Sequence, residues 1–549
     1  MSATTGTEAT KAPGRPELTR LTLNLIVTAY LLSALNGGLW SRMAAVFDGS
    51  PLALAGFALA VAGLTMVTLS LVSLPRLHRP ALAALILVAA GADYFQRAYG
   101  ILIDREMIQN AMLTTATESK HLMTADLALH LGLFGLLPAA LVFVPRIRPV
   151  ALRHVLWRYP LMLALSFGVL AGALMSDFKT YSAAVREHRD MMGAYQPGAT
   201  LAAAARYAKL RYFTTRIVTA PFGRDATPGP FLAAAPKPVL LVVFAGETAR
   251  AQNFGLNGYG RDTTPELAKL DVVNFPDTWS CGTSTAVSLP CMFSALGQEG
   301  YSQQAALAQE NLLDVLSHAG LDVQWFDNNT GDQGIGKRTG SSRIDATVDP
   351  AACAGGECTD AALLPILQRT MQAMTRDTVL VLHMIGSHGP AYYLRYPPEE
   401  ARFTPDCRSA SFADCTGEEI VNAYDNSIRF TDHVLGRAIR MMGAQDRVIP
   451  AMVFMSDHGE SLGEGGLYLH AAPMFMAPDT QRKVPFVIWL SEGYQATMGV
   501  SHECLARKAA QPQSHDVLFH TVLGLMDIRT TVRGTDLDLT ADCRETTTG

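Results

Sequence analysis

The chain has 549 residues, of which 49% are hydrophobic and 17% charged, with a formal net charge of −5. It is too long for a typical single domain and is short of charge for a wholly soluble protein. No basic stripe or acidic tail is present, so nothing in the charge pattern speaks for a nucleic-acid partner.

The first 176 residues carry the apolar excess. Five segments, roughly 21–41, 52–74, 81–100, 125–145 and 158–176, are long and apolar enough to cross a bilayer. Any one alone reads equally well as a buried core helix, but five in succession predict a five-helix transmembrane domain over 1–176. The first lacks a small-residue cleavage site and is expected to be retained. Basic residues cluster before the first segment (Lys11, Arg15, Arg20), after the second (Arg76, Arg79) and after the fourth (Arg146, Arg148, Arg153, Arg158). The alternate loops carry fewer, Arg42 on one and Arg105 and Lys120 on the other. This bias places the N-terminus inside and, after an odd number of crossings, everything beyond residue 177 outside.

A polar, helix-prone bridge follows over 177–229, ending in the breaker-rich stretch Pro221 to Pro230. It reads as a spacer or as a helix lying on the membrane surface. Residues 230–549 then alternate strand-like and helix-like segments, which predicts an α/β domain with a largely parallel central sheet flanked by helices. Strand patterns end at Ala245, Phe326, Met384 and Met455. Glu247, His388, Asp457 and His458 fall just past such ends, where open α/β sheets bind ligands.

All eight cysteines lie at or beyond residue 281, in the part predicted to be outside. An even number there suits an oxidising compartment. Local closure favours Cys281–Cys291, Cys353–Cys358 and Cys407–Cys415, leaving Cys504–Cys543. No CxxC pair points to a cysteine zinc site. The first loop, Cys281-Gly-Thr-Ser-Thr-Ala-Val-Ser-Leu-Pro-Cys291, encloses a cluster of hydroxyls around Thr285. A hydroxyl needs a base or a metal to act as a nucleophile at neutral pH. Carboxylate and imidazole donors suit Zn²⁺, and an open position on the metal lowers the pKa of the oxygen that occupies it. An isolated Asp-His pair is an ordinary polar turn. Glu247, Thr285, His388, Asp457, His458 and His470 together predict a metal site.

Gly246-Glu-Thr-Ala-Arg250, Leu256-Asn-Gly-Tyr259, Thr263-Thr-Pro265, the Cys281–Cys291 loop, Gly386-Ser-His-Gly-Pro390 and Ser456-Asp-His-Gly-Glu-Ser-Leu-Gly-Glu464 with Tyr468-Leu-His470 closely resemble the phosphoethanolamine transferases. The likeness is nearest to the lipid A type, which includes the colistin-resistance enzymes, and covers nearly the whole chain. It implies an alkaline-phosphatase-like catalytic domain in the periplasm, anchored in a bacterial inner membrane and acting as a monomer. It further implies Glu247, Thr285, Asp457 and His458 as ligands of one firmly bound zinc, with Thr285 as nucleophile. His383, His388, His470, Thr330 and Lys337 are expected around the phosphoethanolamine, with His388 and His470 contacting that group or a second zinc. Asn110, Thr114 and Glu118, spaced i, i+4, i+8, would share one helix face and receive the ethanolamine of phosphatidylethanolamine. Taken without the resemblance, that face reads as solvated.

The chain also departs from the family's pattern. The loop after the Asp322–Phe326 strand carries Thr330 and Gln333 where relatives have serine and lysine. The flanking cysteine pair of relatives is replaced by Asp332 and Gly336. Phosphate contact is therefore expected from Lys337 or Arg338. The implied reaction runs in two steps through a phosphoethanolaminyl-threonine to a lipid A phosphate. Other envelope glycans as acceptor, a glycerophosphate transferase, a phosphodiesterase and a catalytically dead scaffold remain alternatives at this level.

Overall fold

The computed structural model describes residues 15–114, 116–149, 152–214, 217–353 and 357–544; Lys11 and the side chain of Glu118 lie outside the described residues. The chain divides into two compact units. One comprises residues up to Arg97 with 102–104 and 125–203; the other comprises 98–101, 105–124 and everything from Ala204. The division thus falls inside the expected bridge rather than at its ends. The short segment 105–124 groups with the second unit.

The first unit is helical. Its helices include α1 (Arg20–Ala34), α2 (Gly37–Val46), α3 (Pro51–Leu71) and most of α4 (His78–Tyr99). Three helices are long and apolar enough to cross a membrane: α3, α4 and the Leu156–Ser176 part of a helix that begins at Leu152. The expected first crossing is broken instead. α1 and α2 meet at a 70° bend, so the count rises to four only if the pair is one span. The cause is local. Asn36 turns its side-chain amide back to the Leu31 carbonyl at 2.9 Å and exchanges hydrogen bonds with the Gln196 backbone, and two weak helix formers, Gly37 and Gly38, follow. The expected fourth crossing is a shorter apolar helix, Ala125–Leu141, with a π turn over Leu131–Leu136. α3 carries no charged residue, and the Thr65 and Thr68 hydroxyls among its apolar side chains bond back to carbonyls of the same helix, as a bilayer rather than water requires.

In the second unit, α5 (Arg105–Leu113) and α6 (Ala116–His121) precede the C-terminal half of a helix spanning Gly198–Thr214. The catalytic layer is an eight-stranded mixed sheet. In chain order its strands are β1 (Val239–Gly246), β2 (Val272–Trp279), β3 (Asp322–Asp327), β4 (Ser342–Arg343), β5 (Thr378–His383), β6 (Ile449–Ser456), β7 (Lys483–Leu490) and β8 (Gln513–Ser514). In space they run β8-β2-β7-β6-β1-β5-β3-β4. β7 is antiparallel to both of its neighbours, and the other pairings are parallel. Every residue of β1 is buried, because helices and loops cover both faces; its unbroken apolar run has no solvent face to supply.

The register of the central strands is what matters for function. Gly246 pairs with Ser456, Ala245 with His383, and His383 with Asp327. The carboxyl ends of β6, β1, β5 and β3 therefore lie level, side by side. Four disulfides are present: Cys281–Cys291, Cys353–Cys358, Cys407–Cys415 and Cys504–Cys543.

The segment leading into β1 is fastened by Glu310. Its carboxylate accepts from the Phe222 amide at 2.9 Å and from Arg224 at 3.0 Å, and it faces His318 at 2.9 Å. Burial opposes ionisation here, but the bonds from Arg224 and the Phe222 amide and the hydrogen bond and charge of His318 together outweigh it, and the carboxyl sits at about 2. A carboxylate whose folded pKa is depressed stabilises the fold above its ordinary value of 4.5, and that contribution disappears as pH falls through about 2. Glu310→Gln is expected to lower the melting temperature at pH 7 and to flatten its fall between pH 5 and 2. Thermal melts of the detergent-solubilised protein across that range measure both.

Candidate active site

Four loops leave the level strand ends and meet over β1 and β6. Glu247 follows β1, and Asp457 and His458 follow β6; all three are buried. One ligand atom from each lies within 4.8 Å of the others. Thr285 comes from a different direction. It is the first residue of a helix, Thr285–Met292, clamped by the Cys281–Cys291 bridge. Its Oγ1 donates to Glu247 Oε2 at 2.9 Å and lies 3.4 Å from His458 Nε2. The structure thereby separates the hydroxyls of this loop. Thr283 donates instead to the Ala472 carbonyl at 2.7 Å, and the Ser284 and Ser288 hydroxyls are buried without a hydrogen-bond partner among the described residues.

The surroundings fix each group. His458 Nδ1 bonds the Gly459 carbonyl at 2.9 Å, which sets the tautomer with Nε2 facing Glu247 at 3.3 Å and Asp457 at 3.5 Å. Asp457 Oδ1 accepts from the amides of Thr248 at 3.2 Å and His458 at 2.7 Å, whereas its Oδ2 is buried with no hydrogen-bond partner among the described residues. Thr248 at φ 57° donates its hydroxyl to Glu247 Oε1. The charges show what the cluster lacks. Burial alone would raise Glu247, yet the hydrogen bond and charge of His458 hold its carboxyl well below the usual range. Burial and the neighbouring Glu247 push Asp457 up to about 6. Burial opposes a charged His458, but the two carboxylates push it up to about 10. Two sealed carboxylates thus lean on one imidazole for their balancing charge. A divalent cation would do this better, and the oxygen-rich, one-nitrogen donor set with the orphaned Asp457 Oδ2 fits zinc.

His470 and His388 stand beside this centre, with ring centroids of His470 4.5 Å from His458 and 5.3 Å from His388. His470 Nδ1 is 2.9 Å from Glu460 Oε2, whose other oxygen accepts from the Tyr392 hydroxyl at 2.6 Å. A cavity of about 280 Å³ opens onto Asn329, Thr330 and His388.

Other expected residues are placed differently. His383 is fully buried. Its Nδ1 is 2.7 Å from Asp327 and its Nε2 is 3.4 Å from the Asn329 amide, so it braces Asn329 and does not face the cavity. Asn329 in turn donates to Glu247 Oε2 at 2.6 Å and to the Met384 carbonyl at 3.0 Å. Asn329 and Asp327 went unassigned in the sequence, although both sit at the end of β3, where the strand-end rule would have found them. Thr330 accepts from Gln333 at 3.2 Å, Lys337 is exposed, and Arg338 is held by Asp314 through its Nε at 2.7 Å and its Nη2 at 2.5 Å. Arg338 is therefore engaged in packing α-helix Leu312–His318 rather than open to a phosphate. The single face expected for Asn110, Thr114 and Glu118 is interrupted. α5 ends at Leu113, Thr114 turns its hydroxyl back to the Asn110 carbonyl at 2.9 Å, and residue 118 belongs to the separate α6.

Residues 239–528 match the sulfatase family, and residues 61–212 match the family described as phosphoethanolamine transferase EptA/EptB. Phosphoethanolamine transferase EptA of Escherichia coli K12 is 38% identical over 542 residues, covering 96% of this chain and 98% of that protein. Phosphatidylethanolamine transferase Mcr-1 of Escherichia coli is 34% identical, covering 86% of this chain and 89% of that protein. The integral membrane lipooligosaccharide phosphoethanolamine transferase A of Neisseria meningitidis superposes with a TM-score of 0.92 at 32% identity, covering 97% of this chain and 100% of that one. A buried threonine–carboxylate–imidazole cluster on a sulfatase-type sheet, joined to apolar helices and matched along almost its full length, means that the chain belongs to the EptA family of phosphoethanolamine transferases.

Proposed function

We propose that this protein is a zinc-dependent inner-membrane enzyme that moves phosphoethanolamine from phosphatidylethanolamine to a phosphate of lipid A, and so confers polymyxin resistance. The observation that carries the reading is the hydrogen bond from Thr285 Oγ1 to Glu247 at the convergence of Glu247, Asp457 and His458.

Glu247, Asp457, His458 and Thr285 would hold the zinc, whose charge lowers the pKa of the threonine hydroxyl and offsets charge on the phosphoryl oxygens. Glu247 Oε2 is placed to take the Thr285 proton. Thr285 Oγ1 then bonds to the phosphorus of phosphatidylethanolamine as the bond to the glycerol oxygen breaks, and diacylglycerol leaves with a proton from His388 or His470. An oxygen of the acceptor phosphate next attacks the phosphoethanolaminyl-threonine, and Thr285 Oγ1 departs and regains its proton. Thr285 heads its helix, so the first-turn amides there lack partners within the helix and their dipoles favour negative charge at this point. Such positioned donors and charges supply most of what phosphoryl transfer requires. The cavity over Thr330 and His388 has room for the donor's head group.

For the membrane part, we place five crossings. The bent α1–α2 pair counts as one, and Ala125–Leu141 crosses as a helix at the short end of the usual length. With the basic-residue bias this puts the N-terminus in the cytoplasm and the catalytic sheet in the periplasm, where its four disulfides are stable. The protein is taken to act as a monomer.

Intact-mass spectrometry of the protein mixed with phosphatidylethanolamine alone is expected to show one added phosphoethanolamine on Thr285. Thr285→Ala is expected to abolish both this adduct and the modification of lipid A in cells; normal modification by that variant would overturn the scheme. Zinc analysis after dialysis is expected to find metal on the wild type and little on Asp457→Asn. Because Asn329 steers Glu247 without touching the ion, Asn329→Ala is expected to weaken zinc binding about ten- to hundred-fold in competition with a chelating dye.

A further inference from the structure

The catalytic unit has a second opening that the donor does not account for. A cavity of about 550 Å³ lies against Ala286 and Val287, the two residues that follow the nucleophile. Its opposite wall is the helix Gly198–Thr214, here called α7, which turns Arg206, Lys209, Leu210 and Phe213 into it. Those positions are spaced i, i+3, i+4, i+7 and so form one helical face. The adjoining face, Tyr207, Leu210, Arg211 and Thr214, lines a neighbouring cavity of about 330 Å³ that reaches the loop from Thr330 to Gly334. Gln109, Leu210 and Gln303 border both cavities. The two form one trough with α7 as its rib, running from the nucleophile helix to the loop beside the donor cavity.

The lining has a definite chemistry. Arg105, Arg206 and Lys209 face the larger cavity against a single carboxylate, Glu106, which Arg105 engages at 2.9 Å. Arg206 and Lys209 are exposed and have no carboxylate partner among the described residues. Two polar atoms on the same wall are also unspent: the Tyr301 hydroxyl and Gln303 Oε1 are buried without a hydrogen-bond partner among the described residues. Such groups are rare in folded proteins unless something else satisfies them. Burial, then the nearby Glu106, raises the Tyr301 phenol well above its ordinary value, so it remains a donor. Leu210, Phe213 and Met474 supply apolar surface between the polar groups.

Cations, one hydroxyl donor, one amide acceptor and apolar side chains together describe a phosphorylated, acylated sugar. We propose that this trough is the acceptor site, and that Arg206 and Lys209 bind a phosphate monoester of the acceptor glycolipid so that it reaches Thr285 from the α7 side. This deepens the proposed transfer and rests on it for the identity of the glycolipid. The shared chemistry is a lipid phosphate, which the donor also has. A phosphate monoester carries between one and two negative charges near neutral pH, while phosphatidylethanolamine brings an ammonium that the same cations repel. The charge excess therefore favours the acceptor.

Binding can be measured with no transfer taking place, on full-length Thr285→Ala protein in phosphatidylglycerol-free nanodiscs. The probes are bisphosphorylated lipid A, the same lipid with both phosphates removed, and phosphatidylethanolamine. Replacing Arg206 and Lys209 together by alanine is expected to weaken bisphosphorylated lipid A about tenfold or more, with a reduced salt dependence, and to leave the dephosphorylated lipid unchanged. The charge-keeping pair Arg206→Lys with Lys209→Arg is expected to restore most of the affinity. Removing two exposed cations outside the trough, Lys269→Ala with Arg437→Ala, is expected to have no such effect. Undiminished binding by the alanine pair, an equal loss with the Lys269 and Arg437 control, or an equal loss for phosphatidylethanolamine would each overturn the assignment. If the wild type instead fails to load Thr285 with phosphoethanolamine, the proposed reaction fails while the binding result for the trough stands.

Discussion

The catalytic unit is organised around two carboxylates that have no solvent. Glu247 and Asp457 leave adjacent parallel strands whose last residues, Gly246 and Ser456, are paired in register. Like charges brought together inside a protein are strongly unfavourable unless a cation or a proton joins them. Here His458 Nε2 lies 3.3 Å from Glu247 and 3.5 Å from Asp457 Oδ2, and that oxygen has no hydrogen-bond partner among the described residues. A site that is poorly balanced by its own residues is one that a metal ion completes. Thr285, the proposed nucleophile, is bound up in the same constraint, because its hydroxyl donates to Glu247 alongside Asn329 and Thr248.

The polar groups behind the cluster hold it in that state. Asp327, His383 and Asn329 form a chain from β3 through β5 to Glu247, with each contact buried. On the other side Tyr424, on the long helix Gly417–Gly443, accepts from the Arg250 amide and donates to the Thr248 carbonyl, fixing the turn that carries Glu247. Thr248 needs that support, since a threonine at φ 57° sits in a region that β-branched residues avoid. Arg250 itself reaches the Glu460 carbonyl and Glu464, linking the loop after β1 to the loop after β6.

Two cavities approach this centre. The smaller opens onto Asn329, Thr330 and His388 and has Arg343 and Arg395 balanced by Asp345 and Glu357, while the larger one along α7 sets Arg206 and Lys209 opposite Ala286 and Val287 of the helix that Thr285 begins. The proposed transfer admits two lipids in turn, and separate entrances would let each bind without displacing the other's contacts.

Much of the site was legible in the sequence because its signals are local. Glu247, Asp457 and His458 each follow an apolar strand pattern, and Thr285 lies inside a short cysteine-closed loop; strand-end placement and ligand chemistry require no knowledge of the partners. The α/β layering was legible for the same reason. Other features depended on distant contacts. Asn36 breaks the first apolar helix through a bond to Gln196, and no hydropathy pattern contains that information. Arg338 looked free for phosphate until folding brought Asp314 to it. His383 was expected around the phosphoethanolamine, but the register of β3 and β5 sets Asp327 against it and encloses both. The sequence by itself determined which chemical groups stand at the strand ends. The tertiary structure decided which of them face each other and which are spent on holding the others in place, because that depends on strand register and long-range burial that spacing along the chain does not encode.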